Sequence, residues 1–357
     1  MSTELANSSA GKMLPTFDPI HRGSVDPPSL TPYRVIYQGG KASVRHYRAV
    51  RPRRKIPIVL VYALIKRPFV LDLEPGRSVV EDLTRQGFEV FLIDWLPPNA
   101  VDSWRGFDAY VNQDLANAVH AVRIHEGVGQ VTVLGYCLGA LLSVIYAALH
   151  PRHVRNLVTL SLPLDTSVRE LPAYQLTDWL DESMVALVTA AYGNCPAWLL
   201  QNVFAGLSVT YRFGQYLGLC QESERDRYAK QSPAFRNWLA SDVPLAGRLF
   251  RELVVDVFKK NLLVRGQMTV GGKVVNLGHI DASLLNVVAA ADVIVHPKSS
   301  LPLMDLVGSA DKANLIFPTG HIGVAVSTEA HARLWPQISN WLAQRDNSES
   351  RASMDPN

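Results

Sequence analysis

The sequence predicts an α/β fold with a mostly parallel central sheet and helices on both of its faces. Three observations carry this. Short apolar runs alternate with longer helical stretches. Most of the runs are apolar on both alternating sets of positions rather than on every second one. The chain is long enough to bury a large core. Strands apolar on both alternating sets suit a sheet covered on both faces, and strand–helix alternation implies parallel pairing. The chain has 357 residues, 48% hydrophobic and 19% charged, with a net charge of +3. That length holds one large domain or two ordinary ones. It excludes a disordered chain and a small disulfide scaffold. The 35 basic and 32 acidic side chains nearly balance, which speaks against an obligate nucleic-acid binder.

In chain order, residues 1–32 are rich in Ser, Pro and Gly and read as a loose arm. Residues 35–50 add antiparallel edge strands. The basic run Arg45–Lys55 reads as a solvated edge. Buried strands follow at 56–63 (IPIVLVYA), 88–94 (FEVFLID), 131–135 (VTVLG), 157–162 (LVTLSL), 287–291 (VVAAA) and 315–317 (LIF). Helices are expected near 78–86, 107–125, 138–150 and 329–344. In the last, Ala330, Leu334, Ile338 and Leu342 recur at a spacing of four, a helical stripe. The rhythm breaks between 166 and 270. That region shows little strand signal yet holds 13 of the chain's 30 aromatics, Trp179, Trp198 and Trp238 among them. It reads as a helical subdomain with its own aromatic core, and as a cap whose rings line an apolar tunnel. The core then divides into 33–165 and 271–345, with a polar tail at 346–357.

Three cysteines, Cys137, Cys195 and Cys220, cannot all pair, and no Cys/His spacing suits zinc. No metal or cofactor is expected, and a reducing, cytoplasmic setting fits. Residues 1–22 lack the apolar core of a signal peptide. No stretch approaches the roughly 18 apolar residues that a membrane span requires, so no transmembrane segment is expected.

The informative segment is 131–141, VTVLGYCLGAL. A buried strand runs into Gly135-Tyr136-Cys137-Leu138-Gly139 and then straight into an apolar helix. This is the nucleophile elbow of α/β-hydrolase folds, with Cys where Ser is usual. A sharp strand-to-helix turn holds the nucleophile in a strained conformation. The two glycines let helix and strand approach without a Cβ clash. The turn also sets the Leu138 amide at a helix N-terminus, where it can donate to an oxyanion, and the same dipole favours a thiolate. No GxSxG competes elsewhere. The bland alternative is a small buried cysteine.

A thiolate needs a base, and this fold orders its triad nucleophile, acid, histidine. The run VVAAA leads to Asp292, and LIFP leads through Thr319 and Gly320 to His321. These are the acid and base candidates, 155 and then 29 residues further on. His296 is the rival base; His120, His125, His150 and His153 read as surface residues. A second oxyanion donor belongs after the first long core strand, where the Ile65 amide is favoured.

The choice of Cys has consequences. An acyl-cysteine is itself a thioester, so loading it from acyl-coenzyme A is near thermoneutral. Passing the acyl group on to an alcohol is downhill. A Cys elbow thus suits acyl transfer from thioester to hydroxyl, provided that water is excluded.

Several segments together give a resemblance: VYALIKRPFVLDL (61–73), FLIDW (91–95), GYCLGA (135–140), YAALHPRHVRNLVTL (146–160), GN-x-P (193–196) and PTGHIGV (318–324). From about Val35 to Gln344 the chain resembles poly(3-hydroxyalkanoate) synthases, above all the short catalytic subunits of the two-component, class III/IV type. The resemblance implies a Cys137–His321–Asp292 site, with Asp292 both orienting the histidine and activating the incoming hydroxyl. It implies a 3-hydroxyacyl-CoA substrate such as 3-hydroxybutyryl-CoA, a polyester product and residence at the granule surface. It leaves open a small partner synthase subunit and a homodimer. Three departures stand out. Val293 replaces the histidine that usually follows the acid. Ala140 replaces the second glycine after the elbow. Leu96 and two prolines replace the glycine after Asp94-Trp95. Val293 keeps in view a cysteine-dependent hydrolase, whether esterase, thioesterase or depolymerase. The altered elbow keeps in view a non-catalytic granule-binding module.

Overall fold

The computed structural model of the protein describes residues 29–50, 52–168, 170, 182–202, 228 and 232–346. The expected arm before residue 29, the tail after 346, Trp179 and Cys220 lie outside the described residues. The main sheet has eight strands: β1 (Arg34–Gly39), β2 (Ala42–Tyr47), β3 (Ile58–Val61), β4 (Val90–Trp95), β5 (Val131–Tyr136), β6 (Val154–Leu160), β7 (Ser283–Ala289) and β8 (Lys312–Phe317). Their spatial order is β1-β2-β4-β3-β5-β6-β7-β8. The β1–β2 and β2–β4 pairs are antiparallel and the remaining pairs parallel.

The strands obey the expected apolar logic. Every residue of β3, β4 and β5 is buried, so both faces of the sheet centre are covered. Helix α1 (Val79–Arg85) starts on Ser78, whose hydroxyl accepts from the Glu81 amide at 2.9 Å. Helix α2 (Ala116–Glu126) packs on β1 and β2, and α3 (Leu138–Leu149) packs on β5 and β6. A π-helical turn, Asp108–Leu115, precedes α2 within the stretch read as one helix. In the region 166–270 the described residues include helices α4 (Glu182–Tyr192) and α5 (Pro233–Leu239), with Gly247–Arg251 and the π-helical Glu252–Lys259 behind them. Helix α6 (Trp335–Asp346) packs against α1.

Three details differ from expectation. The basic run is not uniformly solvated. Arg45 pairs with Asp94, and buried His46 meets Glu89 at 2.6 Å. Both belong to β2, an interior strand of the sheet, so their partners come from the neighbouring chain segments. The run at 315–317 is not wholly buried. β8 is an edge strand covered on one face, and Ile316 is 58% exposed. Residues 29–31 are tied down: the Ser29 hydroxyl and the Thr31 amide and hydroxyl all donate to the Asp72 carboxylate at 2.7–2.8 Å.

A polar ladder, buried at Thr159 and Asn286 and ending on exposed Asn314, crosses the half of the sheet that carries the candidate site. Thr159 donates to Asn286 at 2.9 Å, and Asn286 donates onward to Asn314 at 2.9 Å and to the Ser300 carbonyl at 3.0 Å. All three side chains stand at paired register positions on β6, β7 and β8. A one-residue slip would break every link and reverse the strand faces. Replacing Asn286 by Ala strands two buried partners. Urea denaturation should then show a loss of about 2–4 kcal/mol, whereas a loss below about 0.5 kcal/mol would mean that the ladder does not hold the register.

Candidate active site

The site begins at the turn between β5 and α3. Cys137 has φ +56° and ψ −122°, a left-handed region that costs a non-glycine residue about 1–3 kcal/mol. Hydrogen bonds hold it there. Its amide donates to the Leu160 carbonyl at 2.9 Å, and its carbonyl accepts from the Ala140 and Leu141 amides at 2.9 and 3.2 Å. The flanking glycines are required by space. A Cβ on Gly139 would overlap the Val61 carbonyl oxygen, and one on Gly135 would press on the Ala140 backbone and the Ser143 hydroxyl. Leu138 is the first residue of α3, so its amide is among those that helix geometry leaves without an intrahelical acceptor.

Asp292 and His321 meet as the spacing suggested. Asp292 lies three residues past β7 and His321 four past β8. His321 Nδ1 is 2.7 Å from Asp292 Oδ2, and both residues are buried. The other carboxylate oxygen, Oδ1, accepts from the Ile294 and Val295 amides, each at 2.8 Å. Burial alone would lower the pKa of His321. The negative charges of Asp292 and Cys137, with hydrogen bonds to both, outweigh it and raise the imidazole well above 6.5. The three residues thus form one connected set: sulfur, imidazole, carboxylate. Val293 points the other way, at 46% exposed.

The loop after β3, carrying Ile65, is held on two sides. Trp95 Nε1 donates to the Tyr62 carbonyl at 2.9 Å, and the Arg67 guanidinium donates to the Trp95 carbonyl at 3.1 Å. On the other side the Ile65 carbonyl accepts from the Val243 amide at 3.1 Å, and Lys66 Nζ reaches Asp242 at 2.8 Å. Trp238 of α5 donates its indole N–H to the Arg67 carbonyl at 3.1 Å. The α5 segment therefore sits directly on the loop that would supply the second oxyanion donor.

The rival residues are engaged elsewhere. His296 heads the short helix Pro297–Ser300, its Nδ1 accepting from the Lys298 amide at 3.2 Å. His150 and His153 are not surface residues: both are half-buried, and their rings lie on or against Tyr146. Burial pushes His153 down to about 4, so it stays neutral. Cys195 is fully buried, and burial pushes its thiol up to about 12. Among the described residues one cluster of metal-ligating types occurs, His46 with His125 and Glu126. The Arg53 guanidinium already pairs with Glu126 and with the neighbouring Glu89. No helix among the described residues is long and apolar enough to cross a membrane.

A family model for the alpha/beta hydrolase fold matches residues 56–235. The poly(3-hydroxyalkanoate) polymerase subunit PhaC of Haloferax mediterranei is 36% identical over 319 residues, covering 88% of this chain and 64% of that protein. The subunit of the same name from Allochromatium vinosum is 33% identical over 322 residues, covering 88% of this chain and 89% of that one. The chain belongs to the poly(3-hydroxyalkanoate) polymerase PhaC family. It spans just under two thirds of the Haloferax relative's length. The solved monoacylglycerol lipase of Paleococcus ferrophilus shares the fold, with TM-score 0.54 at 17% identity over 86% of this chain and 100% of that one.

Two site neighbours in this PhaC-family chain escaped sequence reasoning. Tyr136 donates its hydroxyl to the His321 backbone carbonyl at 2.5 Å, and Tyr62 packs edge-on against Tyr136 at 5.5 Å. Burial, with the adjacent Cys137 charge, holds the Tyr62 phenol well above 10. Tyr62 stands in a run that reads simply as buried strand, and Tyr136 is the unspecified position of the elbow, so nothing in their spacing marks them.

Gly139→Ala should abolish activity and lower yield of folded protein, because the added methyl meets backbone rather than a movable side chain. A variant with normal melting temperature and turnover would contradict the close approach. The His321 ring, followed by NMR, should titrate with a midpoint above 6.5. Asp292→Asn should lower that midpoint, since it removes a charge that raises the pKa and leaves the burial that lowers it. By linkage, the His321 contribution to stability is whole below about pH 6.5 and lost as pH rises through the raised folded value.

Proposed function

We propose that the protein is a poly(3-hydroxyalkanoate) synthase acting on 3-hydroxyacyl-CoA, such as 3-hydroxybutyryl-CoA. The observation that carries the reading is a cysteine on the elbow of a PhaC-family chain, connected to a buried imidazole and carboxylate. The Cys137 thiolate attacks the thioester carbonyl, and the amides of Leu138 and Ile65 receive the oxyanion. The bond to CoA sulfur breaks, and the proton that Cys137 had given to His321 passes to that sulfur. CoA leaves as its thiol, and the acyl group stays on Cys137 while His321 becomes neutral again. A hydroxyl from a second monomer or a chain end then gives its proton to His321 and attacks the acyl-cysteine. An ester bond forms and the Cys137 sulfur is released. The second step is downhill because a thioester becomes an oxygen ester. Water must be kept out of it, a task that falls to the region 166–270 acting as a cap. Asp292 supports this by orienting His321: both of its oxygens are already engaged and the carboxylate is buried. His321 is therefore the better placed group to take the hydroxyl's proton.

The same reading assigns the chain to the surface of polyester granules in the cytoplasm. It allows a small partner synthase subunit and a homodimer.

Purified protein, with and without a cognate small subunit, should release CoA from 3-hydroxybutyryl-CoA and yield polymer. Free 3-hydroxybutyrate as the sole product would overturn the synthase reading. It would favour instead a cysteine-dependent hydrolase, the alternative that Val293 keeps in view. Cys137→Ala and His321→Ala should each lower turnover by about 10³-fold or more, because the set acts as a unit. In rapid-quench kinetics Asp292→Asn should slow acylation and elongation alike. A defect confined to elongation would mean that Asp292 activates the hydroxyl itself.

A further inference from the structure

The residue next to the nucleophile does something that the proposed chemistry does not by itself require. Tyr136 ends β5, and its side chain is buried. Its hydroxyl donates to the backbone carbonyl of His321, 185 residues away in sequence. Its ring lies 5.4 Å from the imidazole, centroid to centroid, at 33°. The Tyr62 ring also lies against it at 5.5 Å, so the phenol sits between the loop after β3 and the loop that bears the base.

That second loop is anchored from both sides. His321 lies between β8 and the short helix Gly323–Val326. The Thr319 carbonyl accepts from the Ala291 amide at 3.0 Å, which ties the loop to the acid's strand. The Tyr136 hydroxyl ties it to the nucleophile's strand. The base is thus tied to the acid's strand by backbone bonds from Ala290 and Ala291 at 2.8 and 3.0 Å, and to the nucleophile's strand by the Tyr136 hydroxyl. A buried carbonyl needs a donor and a buried phenol needs an acceptor, and each satisfies the other. Phenylalanine would fill the same space and donate nothing.

We propose that Tyr136 is a positioning residue for the reaction: it fixes the backbone of His321 so that the imidazole spans Asp292 and Cys137 together. The proposal rests on the reading of Cys137, His321 and Asp292 as the reacting centre. Misplacing a base by as little as 1 Å is costly, and this bond removes the freedom that would permit it.

Tyr136→Phe tests it, because the ring stays and only the donor goes. Two readouts are compared in the full-length protein. In steady-state CoA release, kcat should fall about fivefold to tenfold with KM within about twofold, the size of one lost hydrogen bond expressed in a transition state. In NMR of protein with 15N-labelled histidine, the His321 Nδ1 proton should shift and exchange faster with solvent. The NMR arm needs no substrate, so it still reports on positioning if the wild-type protein releases no CoA. Circular dichroism and melting temperature identify a folding defect; should one appear, Tyr136→Trp, which keeps a ring and an N–H donor, should recover the His321 signal in part. Wild-type kcat with an unchanged Nδ1 signal would overturn the proposal. So would a fall in kcat with that signal unmoved.

Discussion

The backbone at Cys137 is the constraint on which the rest depends. A residue with a side chain occupies a left-handed conformation that glycine would adopt freely. Hydrogen bonds from β6 and from the first turn of α3 keep it there. The turn is possible only because Gly139 lies against the Val61 carbonyl and Gly135 lies against the helix. With that crossing in place the sulfur stands at the rim of the sheet and the Leu138 amide beside it. Relaxing the turn would separate the sulfur from His321 and remove the amide from the same point.

The electrostatics follow from this geometry. His321 and Asp292 are out of water, and burial by itself would leave the imidazole neutral. Contact with the carboxylate and the sulfur reverses that. The carboxylate is held in turn by two amides of its own loop. The sheet register that brings β6, β7 and β8 to one rim is kept by the ladder from buried Thr159 and Asn286 to Asn314 on the exposed edge strand. A polar chain among apolar neighbours is a specificity device: the interactions are available in one register alone.

Much of this was legible in the residues, for physical reasons. Runs such as VTVLG and FEVFLID carry apolar residues on both alternating sets because both sheet faces are covered, and they form strands. The Gly-x-Cys-x-Gly spacing states a steric requirement that the backbone meets. Asp292 and His321 could be named because the fold delivers successive strand ends to one rim. What stayed hidden depends on tertiary neighbours. Arg45 and His46 sit in a basic run, yet interior strand positions and acidic partners draw them inward. Ile316 belongs to an apolar triplet, but an edge strand leaves it in solvent. His150 and His153 look like polar loop residues until Tyr146 is placed against them, its ring stacked on His150 and its hydroxyl bonded to His153. Tyr136 gave no signal, because its partner is a backbone carbonyl.

The central claim is that the Cys137 sulfur carries the acyl group. Protein mixed with radiolabelled 3-hydroxybutyryl-CoA, quenched in acid within one turnover and digested, should yield one labelled peptide. That peptide should contain Gly135–Gly139, and hydroxylamine should release its label as expected for a thioester. Label on any other peptide, or none on this one while CoA continues to be released, would contradict the account.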